Sequence, residues 1–69
     1  MSEIEIKINS NSEAEKVLSD VYQNDSSATW VGDDAVSGQV LTAQYDHNRG
    51  LVRIYSNYYT QYSLEEMFL

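Results

Sequence analysis

The sequence predicts an α+β domain: a small antiparallel sheet of three to four strands packed against one main helix. The expected order is β-α-β-β-β, with a short C-terminal helix as an option. Three patterns carry this. Ile4, Ile6 and Ile8 alternate with Glu3, Glu5 and Lys7, the period of a strand that is wet on one side. Ala14, Val17, Leu18, Val21 and Tyr22 recur at helical spacing and form one apolar stripe. Two β-prone runs, QVLTAQYD and LVRIYS, flank the tetrapeptide HNRG, where Gly50 is free to take the positive φ of a tight turn.

The elements follow in chain order. The first strand turns its isoleucines inward. Ser12, three residues ahead of Glu15, is the expected capping box of the helix: serine satisfies an orphan amide and glutamate reaches back. Asn24, Asp25, Ser26 and Ser27 end that helix. SATWV is a short β-prone run, and GDDAVSG reads as a turn-rich connection between glycines. In the hairpin, pairing Tyr45 with Val52 and Ala43 with Ile54 gathers Leu41, Ala43, Tyr45, Val52 and Ile54 on one face. A slip of one residue would set Arg53 opposite Tyr45 and spoil that face. Val40, Thr42, Gln44, Arg53 and Tyr55 fall on the other, mostly polar face, as suits an antiparallel sheet with one wet side.

The chain ends in YSNYYTQYSLEEMFL. An edge strand over Tyr58 to Tyr62 is one option for the tail, with strand or helix left open, and Ser63 with Glu66 forms a second capping box. Leu64, Met67 and Phe68 lie at i, i+3 and i+4, a helical stretch too short to stand without packing. They are expected to close the open end of the core. Tyr55, Tyr58, Tyr59 and Tyr62 cannot all turn inward, because buried hydroxyls need partners; one or two should stay exposed.

Sixty-nine residues make one domain, residues 1–69. A chain of this length buries only about 60% of its unfolded surface, and its core rarely supplies more than about 3–5 kcal/mol. There is no cysteine and one histidine, which removes disulfides and thiolate zinc sites as staples. The N-terminus lacks a basic segment followed by an apolar one, and no apolar run approaches the roughly 20 residues of a membrane span. A soluble, cytoplasmic protein is expected. Eleven acids against four bases give a net charge of −7, which repels phosphates and anionic lipids. Direct nucleic-acid and membrane binding are therefore disfavoured, and a basic protein surface is the expected partner.

Motifs for chemistry are missing. His47 beside Asp46 sits in a turn, where polar residues serve conformation. Asp33 and Asp34 lack the alternating ligands and distal glutamate of a calcium loop. The three glycines are scattered and cradle no phosphate. No enzymatic activity, cofactor or metal is expected, which leaves recognition. Trp30, Tyr55, Tyr58, Tyr59 and Tyr62 are the residue types that interfaces favour, with Asp33, Asp34, Glu65 and Glu66 near them. Two roles are open to Trp30: main core residue, or anchor for a partner. Glu3 and Glu5, two apart on a strand, stand about 6.6 Å apart, close to twice the ~3.4 Å rise per phosphate along one strand. A nucleic-acid mimic is thus a sub-case, although Lys7 interrupts the row.

Small size, acidity, absent motifs and abundant tyrosine make the composition similar to that of phage-encoded inhibitors of host defence or nucleic-acid enzymes. Anti-restriction and anti-CRISPR proteins belong to that class. The resemblance implies a non-enzymatic inhibitor and assigns no residue a role. The alternative is a structural or accessory subunit whose Tyr-rich tail mediates homo- or hetero-oligomer assembly. Tyr58, Tyr59, Leu64, Met67 and Phe68 would then be buried, for example in a homodimer.

Overall fold

The computed structural model describes all 69 residues. Strand β1 (Ser2–Lys7) leads into helix α1 (Asn11–Asn24). Four strands follow, β2 (Thr29–Val31), β3 (Ala35–Ser37), β4 (Leu41–Asp46) and β5 (Leu51–Ser56), and helix α2 (Gln61–Phe68) comes last. The strands form one antiparallel sheet in the order β1-β5-β4-β3-β2. Strands β2 to β5 are a meander, and α1 carries the chain from β1 at one edge to β2 at the other.

The α+β class and the hairpin register agree with the sequence: Tyr45 pairs Val52 and Ala43 pairs Ile54. The sheet has five strands rather than three or four. The extra one, β3, lies inside the stretch read as a connection. Its three residues are enough to bring Val36 opposite Ala43, where it is wholly buried. Of the two options for the tail, the structure has the helix, and no strand runs from Tyr58 to Tyr62. Ser56, itself buried, turns the chain there. Its Oγ donates to the Val40 carbonyl (2.8 Å) and accepts from the amides of Tyr58 (3.0 Å) and Tyr59 (2.8 Å).

Both helices begin earlier than the capping boxes foretold. Ser10, in extended conformation, caps α1 by accepting from the Glu13 amide at 3.2 Å; Ser12 lies within the first turn. Thr60 caps α2 by accepting from the Ser63 amide at 3.1 Å. In each case an earlier hydroxyl reaches the third helical amide. Two or three residues are gained, in segments where every added turn matters.

Register assigns the faces. Ile4, Ile54, Ala43, Val36 and Trp30 form one row across the sheet. The first four of these are buried together with Ala14, Leu18 and Val21 of α1 and Leu64 of α2. Each large side chain buried in this way contributes about 1.5–3 kcal/mol. Met67 and Phe68 pack against the same core, so the C-terminal helix closes it as anticipated. On the opposite face no helix lies. That face shows Glu3, Glu5 and Lys7 of β1 beside Leu51, Arg53 and Tyr55 of β5, then Thr42, Gln44 and Asp46 of β4. No helix is long and apolar enough to cross a membrane.

Asp25 fixes the end of α1 relative to the sheet. It is only 5% exposed, and its carboxylate accepts from the amides of Ser27, Val40 and Leu41, each at 2.9 Å, and from the Ser27 hydroxyl at 2.6 Å. Its carbonyl accepts from the Ala28 amide at 2.9 Å, one residue before β2. The Ser27 hydroxyl bond and the Leu41 amide bond hold the carboxyl pKa at about 2, below the usual 3.8, against the opposing effect of burial.

Candidate functional site

At the β2 edge, the row that places Trp30 on the helix side also places it last, with no strand beyond. Tyr22, near the end of α1, packs against it. The two rings stand 6.0 Å apart between centroids, tilted by 31°. Trp30 remains 39% exposed and Tyr22 42%. The expectation of Trp30 as main core residue is therefore corrected: its pairing faces it inward, but edge position leaves the indole open. Val31, pointing to the other face, is 56% exposed. All three residues of β2 are exposed.

Carboxylates border these apolar groups. Glu15, Gly32 and Asp33 share a shallow open hollow with Trp30. Gly32, with φ +70, lets the chain leave β2 in a tight turn and brings Asp33 beside the indole. Neither Glu15 nor Asp33 has a cationic partner; the ion pairs are His47–Asp34, Arg53–Glu5 and Arg53–Asp46. Asp34 is engaged, since its Oδ2 lies 3.1 Å from His47 Nε2 and its carbonyl accepts from the Tyr45 amide at 2.9 Å.

The remaining sequence-derived residues fall in two other places. Glu3, Glu5 and Tyr55 lie on the helix-free face, where Tyr55 pairs across from Glu3. There Arg53 sits 3.7 Å from Glu5 and 3.6 Å from Asp46 and breaks the acidic row. Its pKa is raised by Tyr55 first, with Asp46 and Glu5 acting in the same direction against desolvation. Tyr58, Tyr59, Tyr62, Glu65 and Glu66 belong to the α2 end, which packs on β1. Tyr58 meets Tyr59 edge-on at 5.0 Å, and Tyr58 and Tyr62 are 73% and 71% exposed. Four strand spacings, roughly 19 Å, separate β1 from β2, so the eleven residues do not form one surface.

Tyr22, Val31 and Glu15 are the site residues that the sequence did not single out. Tyr22 was absorbed into the helical stripe. Its place at the far end of that stripe, beyond the last buried residue Val21, is the one signal that it overhangs the core. His47 stacks on Tyr45 at 4.0 Å, and two hollows flank it. Neither is lined by a serine, threonine or cysteine. No group of three or more His, Asp and Glu side chains comes together to hold a metal ion.

Comparison with protein-family models, curated proteins and solved structures finds no match.

Proposed function

We propose that this chain is a small acidic, non-enzymatic binding module that docks its β2 edge on a basic protein surface and blocks it. The observation that carries the reading is the Tyr22–Trp30 stack beside exposed Val31, bordered by the free carboxylates of Glu15 and Asp33. An indole that could have been fully buried keeps about two fifths of its surface open to solvent instead. Trp and Tyr dominate binding energy where they are desolvated at the centre of an interface. Unpaired carboxylates around them steer a cationic partner and penalise anionic ones.

The acidity is unevenly distributed. The helix-free face carries Glu3, Glu5 and Asp46 against Lys7 and Arg53, which is close to balance. Helices α1 and α2 expose Glu13, Glu15, Asp20, Glu65 and Glu66 against Lys16 alone. A basic partner is thus drawn to the helix side and the β2 edge. Blocking needs no reaction, only occupancy of a surface that the partner uses for something else, such as a phosphate backbone. Affinity capture from host lysate at low and high salt tests this. A basic, nucleic-acid-binding protein should be retained at low salt and released as salt screens the attraction; capture of only acidic or salt-insensitive partners contradicts it.

A second reading is favoured by the exposure of Tyr58 and Tyr62 at the opposite edge: an accessory subunit that assembles through its tail. Sedimentation at increasing concentration separates it from the first for self-assembly, since a chain that stays monomeric does not use its tail to dimerise.

A further inference from the structure

The two sheet edges differ in how they are guarded. β1 carries Glu3, Glu5 and Lys7, and α2 packs along it; charge and cover are how proteins keep stray strands from pairing. β2 has neither. Thr29, Trp30 and Val31 are uncharged and all exposed, and the chain contains no proline. Its outer row of N–H and C=O groups has no partner strand. Trp30 stands on one side of that row and Val31 on the other, with Val36 and Ala35 as their neighbours on β3.

An incoming strand alternates its side chains between the two faces. One residue would lie against Trp30 and Tyr22, and its neighbours against Val31. Backbone pairing supplies affinity in this mode, and side-chain contacts on alternate positions supply selectivity. β2 is only three residues long, so the ladder is short and selection falls to those contacts. Glu15 and Asp33, without cationic partners, favour Lys or Arg in the arriving segment. A second copy of this chain would bring a further charge of −7 and the same carboxylates, which opposes self-pairing.

We infer that β2 is a strand-addition site, and that its occupant is an extended segment of a partner protein bearing Lys or Arg between β-branched residues. This rests on the β2 edge as docking surface and adds how the partner is held.

The test is a titration of the ¹⁵N-labelled full chain with three synthetic peptides, followed by amide shifts and hydrogen exchange. The first alternates Lys with Val and Thr. The second has the same side chains with every internal amide N-methylated, and the third has Glu for Lys. The first should shift Thr29, Trp30, Val31 and Gly32 and slow exchange in β2. The second and third should each bind at least tenfold more weakly. If the N-methylated peptide shifts Trp30 as strongly as the first, the edge docks through side chains alone; strand addition fails while the docking surface stands. If no peptide perturbs β2, strand addition is overturned, and partner capture by wild type against Trp30→Ala still decides the docking surface independently. Shifts in β2 that grow with protein concentration alone would make a second copy the occupant and overturn the inference.

Discussion

The Asp25 carboxylate accepts four hydrogen bonds, and three of its donors are backbone amides that would otherwise be buried or part-buried without a partner. Asp25→Asn keeps the shape but turns an amide group toward those donors. It should cost about 2–3 kcal/mol, read as a lower urea midpoint. Because the folded pKa of about 2 lies below the ordinary 3.8, the carboxylate's contribution is fully present above pH 3.8. It is lost as pH falls through 2, and amounts to roughly 2 kcal/mol. The wild-type urea midpoint should therefore drop between pH 5 and pH 2 by more than that of Asp25→Asn. Gly38→Ala tests the same hub from the other side: the added Cβ would overlap the carboxylate and come to 3.0 Å from Ala28 Cα, an overpacking cost of about 1–3 kcal/mol. None of this was legible in the sequence. Asp25-Ser26-Ser27 reads only as a helix terminator, because the amides of Val40 and Leu41 arrive from 15 and 16 residues away. Trp30 was left between core and interface for a related reason: residue type allows both, and its strand's rank in the sheet was invisible.

Elements with a repeated pattern were readable; of the two three-residue strands, β2 showed only through its β-prone composition and β3 not at all. The β4–β5 register follows from alternation over six residues on each side; a slip of one would have buried Arg53. Strand β3 has three residues between two glycine-bearing turns, so period two has no room to show. The helix starts were each read two or three residues late, since several hydroxyls stand within reach and only the fold selects one. Ser10→Ala should lower stability by about 1 kcal/mol and Ser12→Ala by much less, a difference that thermal melts resolve. Leu64 is wholly buried and joins α2 to the core, so Leu64→Ala should cost about 3 kcal/mol. Against the roughly 3–5 kcal/mol such a small core supplies, that leaves about 0–2 kcal/mol, so that between a few per cent and half of the molecules are unfolded.

For the whole molecule, composition announced the charge and left its placement open. The sheet's register supplied the placement: a nearly balanced face on one side, and acids concentrated on the helices and beside β2 on the other. In the function proposed above, the chain binds a basic protein through Trp30 at this edge, and not through its tyrosine-bearing tail. Captured partner can be compared for wild type, Trp30→Ala and the double variant Tyr58→Ala/Tyr62→Ala, with the fold of each checked by its amide spectrum. Trp30 is partly exposed, so its removal should leave the fold intact while lowering affinity by at least 30-fold, the ~2 kcal/mol of an interface anchor. The tail variant should bind as wild type does. A Trp30→Ala protein that is folded and still holds its partner, with the tail variant released, would overturn docking through the β2 edge.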